Sequence, residues 1–227
     1  MNEVGVSYGP TAIVSGICWT VCSSDRWMIR GPNGSGKSTL LSLITGDNPK
    51  AYGQQIMLFG RPRGSGESVW DIKRRIGFVS GDLQFSYPLG STVRDVVLSG
   101  FFDSIGLYDQ ATGYQRDIAE HWLDRIGLAR TPLARLRDLS FGQRRMALIA
   151  RAIVKEPDLL IADEPCQGLD DEHSRMVLDL LEEIGFSHPT CLLYVTHSAE
   201  ERLDCITHVL ELIPGMGEAS RSRILLK

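Results

Sequence analysis

Nine consecutive residues constrain this chain more than any other stretch. Gly31, Pro32, Asn33, Gly34, Ser35, Gly36, Lys37, Ser38 and Thr39 satisfy G-x-x-x-x-G-K-[ST] at every fixed position. Trp27 to Arg30, just before them, reads as a strand, and Lys37 to Thr45 reads as a helix stopped by Gly46. In a strand–loop–helix setting the glycines let the backbone curl, so that successive N–H groups converge on phosphate oxygens. The helix adds the positive end of its dipole. Lys37 would place a charge between β- and γ-phosphate, and the Ser38 hydroxyl would ligate Mg²⁺.

A loop of this kind needs an α/β frame, and the rest of the chain supplies the pattern for one. Gly16 to Val21, Gln55 to Phe59 and Ile76 to Val79 read as strands, with a Gly/Arg-rich connection at Gly60 to Gly66. From about Ser86 to Val154 the apolar residues follow a helical period with no strand signal. Thr92-Val-Arg-Asp95 resembles a capping box opening a helix that ends at Gly100, and Gly127 closes the next helix. Leu159 to Ala162 and Cys191 to Val195 are short apolar runs of the buried parallel-strand type. Between them, Met176, Val177, Leu180, Leu181 and Ile184 form an amphipathic helix ending at Gly185. Arg221 to Lys227 gives no clear reading. The expectation is one domain over residues 1–227, an α/β core with a helical subdomain inserted at about 86–154.

Composition excludes several classes. With 43% apolar residues and a net charge of −4, the chain is too hydrophobic and too weakly charged to be disordered. An acidic balance without a basic face argues against direct nucleic-acid binding. No run of about 18 apolar residues exists to cross a membrane. Met1-Asn2-Glu3-Val4 pairs no basic segment with an apolar one, so no signal peptide is expected and the cytoplasm is the default compartment. The five cysteines, Cys18, Cys22, Cys166, Cys191 and Cys205, read as reduced, buried thiols. Cys18 and Cys22 on one strand would stand roughly 13 Å apart, too far for one metal ion.

Asp163-Glu164 narrows the chemistry of the loop. The pair ends the strand Leu159 to Ala162, on the edge of a parallel sheet where ligands bind. Asp163 is placed to hold Mg²⁺ through water, and Glu164 to orient or deprotonate the attacking water.

Leu139-Ser140-Phe141-Gly142-Gln143 then decides among phosphate-loop proteins. It resembles the Leu-Ser-Gly-Gly-Gln signature of ATP-binding-cassette (ABC) ATPases, with Phe141 in place of the first glycine. It lies 23 residues before Asp163, and Lys37, Asp163-Glu164 and His197 follow the family's order. The resemblance covers nearly the whole chain. It implies a phosphate-loop NTPase (RecA-like) core with a mainly parallel sheet, an N-terminal antiparallel β part and the inserted helical subdomain. It also implies ATP and Mg²⁺ as cofactors. Ser140, Gly142 and Gln143 would form an anion site for the nucleotide of a second cassette, and Tyr8 would stack on adenine. Gly168-Leu169-Asp170 matches a loop that crosses to the partner. Glu164, His197 and Lys37 would carry catalysis, with His197 on the γ-phosphate. His121, His173, His188 and His208 match no motif.

A narrower resemblance runs through Leu41 to Asp47, Leu58 to Glu67, Val97 to Leu107 and Asp204 to His208. These stretches are similar to the second cassette of the ModF type, molybdate-transport or photorepair proteins with two cassettes in one chain. The partner cassette would then be a second copy or a missing tandem half. Transport would need a separate integral membrane permease, with this chain peripheral on the inner face of the membrane. An alternative output is a slow ATP-dependent clamp in repair or regulation. A phosphate-loop kinase would lack the signature and the terminal histidine. Two departures stand out. Gly81 occupies the place of a usual glutamine, with Gln84 three residues on expected to be a bystander, and Arg30 stands where an apolar residue is commoner.

Overall fold

The computed structural model describes residues 1–198, 201–215 and 219–226. Val4, Val6, Val14 and Ile17 are buried along two strands, β1 (Val4–Tyr8) and β2 (Thr11–Ile17), which pair antiparallel. The expected strand Gly16 to Val21 is corrected: the ladder lies earlier, at Thr11–Ile17. Two register shifts against β1, with the extra residues on β2, and a positive φ of 60° at Gly16 break the alternation. Past Ile17 only Trp19 continues the pairing, exchanging backbone hydrogen bonds with Met1. Cys18 and Cys22 are therefore exposed rather than buried; the other three cysteines are buried, and all five are free thiols.

The chain then enters β3 (Arg26–Arg30) and α1 (Lys37–Thr45), the helix ending at Gly46 with φ 81°. The strand expected at Gln55 to Phe59 shrinks to β4 (Met57–Leu58), hairpinned to β5 (Arg61–Pro62) inside the presumed loop. Phe59 and Gly60 both take positive φ, 51° and 79°, which is the turn geometry a two-residue hairpin needs. Next come α2 (Val69–Lys73), boxed by Ser68 and Asp71, β6 (Ile76–Ser80) and α3 (Gly81–Ser86).

Helices α4 (Val93–Leu98), α5 (Gly113–Arg125) and α6 (Phe141–Ile153) follow, with 3₁₀ turns between them. Thr92 accepts from Asp95 N–H as the sequence suggests, and the helix runs on as 3₁₀ through Phe102. The chain closes with β7 (Leu159–Asp163), α7 (Asp171–Ser187), β8 (Cys191–Thr196), β9 (His208–Ile213) and β10 (Arg221–Leu226). Helix α7 passes Gly185 and stops two residues later. Gly185 stays in the helix because a Cβ there would lie 2.5 Å from Cys205 Sγ, so it serves a close approach rather than a stop. Of the unread C-terminal stretch, Lys227 lies outside the described residues.

Six strands form the main sheet in the order β10-β9-β3-β8-β7-β6. All neighbours are parallel except the edge pair β9–β10. Every residue of β8 is buried, as befits a central parallel strand covered on both faces. One core, on the face covered by α4 to α7, includes Trp122, Leu148, Ile153 and Leu181. The other, under α1 and the N-terminal β part, includes Ile29, Leu43, Val14 and Ile161. Fully burying such a side chain stabilises the fold by about 1.5–3 kcal/mol. β3, β7 and β8 thus end side by side at one edge, where the motifs sit.

Candidate functional site

The phosphate loop leaves β3 at Arg30 and enters α1 at Gly36. Arg30 pairs with Glu211 of β9 at 3.2 Å, its neighbour in the strand register, which accounts for a charge at that position. Gly36 takes φ 92°, and a Cβ on it would lie 2.5 Å from Val14 Cγ1, so glycine is required twice over. Helix α1 begins without a side-chain cap, whereas α5 and α6 are boxed by Thr112 and Ser140. Its first N–H groups are left to the loop, the arrangement that receives an anion. The Ser35 hydroxyl is buried with no hydrogen-bond partner, another polar atom the loop leaves unmatched. Lys37 is buried, and its ammonium donates to the carbonyls of Gly31 at 2.7 Å and Pro32 at 3.2 Å. Ser38 is exposed and Thr39 half-buried at the start of α1; Pro32, Asn33 and Gly34 are exposed.

Across from the loop, Asp163 ends β7 in register with Ser80 of β6 and Val195 of β8. Burial first, then the Glu164 carboxylate, push its carboxyl up to about 6, with Lys37 acting in the other direction. A divalent cation is the group that relieves such crowding of acids. Among the described residues no cluster of three or more His, Cys, Asp or Glu could hold a metal unaided. Asp163 and the Ser38 hydroxyl are hard oxygen donors, and Mg²⁺ is commonly bound by one or two protein oxygens plus phosphate and water. The residues present fit that mode.

Glu164 takes a φ of 47°, a strained conformation for a non-glycine residue. The turn is held by its N–H to Val195 O and by Gln167 N–H to its carbonyl. This bend turns the Glu164 carboxylate to 3.9 Å from Lys37 Nζ and 3.1 Å from His197 Nδ1. Lys37, Glu164 and His197 thus converge, brought there by α1, β7 and β8.

Arg145, which the sequence did not single out, supports this bend from α6. It is fully buried, and burial lowers its pKa. Its guanidinium donates to the carbonyls of Pro165 at 2.9 Å and Glu164 at 3.4 Å. It also donates to Gln84 Oε1 at 3.0 Å. Gln84 is buried, and its amide also reaches Phe141 O at 3.4 Å. The expectation that Gln84 stays off the metal rested on a premise that the fold corrects. It assumed extended chain after Gly81; α3 coils instead, so three residues cover only about 4.5 Å of helix rise. The arginine's period-matched place within an apolar helix face was the available signal.

The remaining expected residues lie elsewhere. Tyr8, half-exposed at the end of β1, accepts from Asn48 Nδ2 at 3.0 Å, and Lys50 Nζ lies 5.4 Å from its ring centre. Ser140 caps α6: its Oγ accepts from Gln143 N–H while Gln143 Oε1 accepts from Ser140 N–H. Phe141 sits beside Gly168, whose Cβ position lies 3.6 Å from its ring. Among the described residues no hydrogen bond or ion pair joins Ser140, Gly142 or Gln143 to Lys37, Asp163, Glu164 or His197. The nucleotide motifs therefore form two separate groups.

A phosphate loop, an acid-ended parallel strand and a second, detached helix N-terminus define a phosphate-loop NTPase of two-part design. The chain belongs to the ATP-binding cassette family: the family model described as "ABC transporter" matches residues 14–167. It is 48% identical over 218 residues to the ABC transporter ATP-binding protein ModF of Escherichia coli, covering 96% of this chain and 44% of ModF. The chain thus spans less than half the length of that relative. It is 34% identical over 215 residues to the zinc uptake system ATP-binding protein ZurA of Listeria monocytogenes, covering 93% and 81%. Its fold matches the dimeric post-hydrolysis structure of the cassette MJ0796 bound to ADP and Pi, with TM-score 0.77 and 24% identity, covering 100% and 98%. The chain is an ABC-type ATP-binding cassette.

Proposed function

We propose that this cassette binds Mg-ATP at Lys37 and hydrolyses it only when closed head-to-tail against a second cassette. The observation that carries this reading is the separation of the two groups within one chain. Lys37, Glu164 and His197 converge on one site, whereas Ser140 and the start of α6 contact none of them. Two copies related by a two-fold axis would bring each group to the other, which is self-complementary closure.

In this mechanism the loop N–H groups of residues 31–39 and the start of α1 cradle the phosphates. Lys37 exchanges its hold on the Gly31 and Pro32 carbonyls for phosphate oxygens. Ser38 and Asp163 would hold Mg²⁺, which neutralises developing charge on the phosphates. Glu164 orients the attacking water and accepts its proton, and His197 donates to the transferred phosphoryl group. Tyr8 offers a ring face to adenine. Gly142 and Gln143 shape the α6 N-terminus, and Ser140 closes on the partner's nucleotide.

The wider role follows the ModF likeness: a cassette that drives or gates a molybdate-type system, with a membrane permease or a tandem cassette as partner. The alternative, a slow ATP-dependent clamp without a membrane partner, is favoured by Gly81, which carries no side chain at the end of β6. Among the described residues no helix is long and apolar enough to cross a membrane. Affinity purification from membranes tests the pair. An integral membrane protein retained in the presence of ATP supports transport; a cassette-only complex supports the clamp.

A further inference from the structure

Asp170, His173 and Ser140 form an unbroken hydrogen-bonded chain across 33 residues of sequence. Asp170 accepts at both carboxylate oxygens from His173 Nδ1, at 2.8 and 2.9 Å, and also accepts the His173 backbone N–H at 2.8 Å. At the far side of the ring, Nε2 stands 3.2 Å from Ser140 Oγ. Asp170 caps α7, His173 lies in its first turn, and Ser140 caps α6. The ring lies so close to the first turn of α6 that a Cβ on Gly142 would meet His173 Cδ2 at 2.0 Å. Glycine at 142 is what admits the imidazole.

We infer that His173 is a positioning residue for the signature serine, fixing the Ser140 side chain for the nucleotide of the opposing cassette. The inference rests on the head-to-tail reading above. Its chemistry follows from the donors available. The Asp170 carboxyl is held below its usual range, first by the His173 backbone N–H and then by the ring, so it is an acceptor. Nδ1 therefore carries the ring proton, and in the neutral imidazole Nε2 is an acceptor. Ser140 Oγ already accepts from Gln143 N–H, so in the single chain its hydroxyl proton points to His173; rotation about Cβ–Oγ turns that proton to a phosphate of the opposing cassette without moving Oγ. Both hydrogen bonds together leave the serine one rotamer. The same order of groups activates nucleophilic serines; here the hydroxyl sits among the first N–H groups of a helix, a place that receives an anion. Orientation is what the chain supplies. A misplacement of about 1 Å in such a group can cost on the order of a hundredfold in rate. Asp170 also belongs to the Gly168-Leu169-Asp170 loop, so His173 ties together two elements that would face the partner.

The test uses the full chain. In wild type, ¹⁵N NMR of the labelled imidazole should report the Nδ1–H tautomer for His173; the Nε2–H tautomer would overturn the inference without any variant. His173→Ala should lower ATP turnover about tenfold or more while leaving fluorescent-ATP affinity of the single cassette within twofold, since Ser140 serves the other copy's nucleotide. His173→Gln, which can offer an amide oxygen near the Nε2 position, should recover much of the loss. Ser140→Ala separates the two claims. If it cuts turnover and His173→Ala does not, His173 has no such role and the head-to-tail reading stands. If Ser140→Ala leaves turnover intact, the head-to-tail reading itself fails.

Discussion

Arg145 donates to the carbonyl oxygen of Pro165 at 2.9 Å, joining the helix that starts at the signature to the turn that aims Glu164. The same guanidinium holds Gln84 of α3. A buried cation thus ties three segments: α3 just after β6, the Glu164 bend and the signature helix. Among the described residues no carboxylate lies within ion-pair distance of it; its charge is met by carbonyl dipoles.

Arg145→Met keeps much of the volume and removes the donors. Pro165 O and Gln84 Oε1 would then be buried without their partner, at about 1–3 kcal/mol for each unsatisfied group. For a chain of this size about 3 kcal/mol corresponds to a fall in Tm of roughly 6–12 °C. Calorimetry should show that fall, with ATP turnover reduced more than ATP binding. Unchanged Tm and turnover would remove Arg145 from the account.

Lys37→Ala should abolish measurable turnover and weaken ATP binding strongly. Lys37 is buried beside the loop and faces both the Gly31 carbonyl and Glu164. Steady-state phosphate release is the measurement, and wild-type turnover in a folded variant would contradict the phosphate-loop assignment.

Glu164→Gln should bind Mg-ATP without hydrolysing it, so that closed pairs accumulate. Gln keeps the side-chain size but cannot take a proton from water. Size-exclusion chromatography with ATP should show a dimer at micromolar concentration. A variant that stays monomeric under those conditions would mean that the isolated chain does not close on itself.

Gly77→Ala addresses the frame rather than the chemistry. A Cβ at 77 would lie 2.2 Å from Ala152 O, the backbone of α6 where it crosses β6. Backbone cannot swing aside as a side chain can, so the helix must lift off the sheet. Overpacking typically costs about 1–3 kcal/mol. Chemical denaturation should show a lower midpoint; an unchanged midpoint would mean that α6 has room to move.

Much of this was legible in the sequence, and for a physical reason. Lys37, Asp163, Glu164 and His197 are placed by fixed local geometry, strand end or helix start, which short motifs encode. The parallel strands β3, β6, β7 and β8 were readable because burial on both faces makes them largely apolar runs, as in Cys191–Thr196; β9, with Glu211 and half-buried positions interrupting its run, was not read. The failures come where pairing partners decide. β2 was misplaced because its own extra residues reset its alternation against β1. β10 gave no signal because an edge strand half open to solvent has no continuous apolar run; its exposed Ile224 shows this. His173 and Arg145 were missed because their partners are distant in sequence: Ser140 for one, Gln84 and Pro165 for the other.

Gly81 and Gln84 supply the last prediction. On an extended loop Gln84 would hang free, and its removal would change little. In α3 it is buried, accepts from Arg145 and donates to Phe141 O, so it joins the end of β6 to the signature. Gln84→Ala should leave Arg145 Nε unmatched and loosen Phe141, at a cost of about 1–3 kcal/mol in stability. Turnover should fall several-fold through the Glu164 turn, with ATP affinity little changed. Gly81 is different. Its φ lies outside the positive region, so a side chain is tolerated by the backbone. A Cβ would lie 3.3 Å from Gln167 Oε1, an exposed side-chain end that can give way. Gly81→Gln should therefore fold normally. Placed at the first position of α3, one strand over from Asp163, its amide could order the attacking water and raise basal hydrolysis. Parallel turnover assays decide: a rise for Gly81→Gln with a fall for Gln84→Ala fits the two distinct roles. If Gly81→Gln is neutral and Gln84→Ala inactive with Tm unchanged, Gln84 itself serves the nucleotide site.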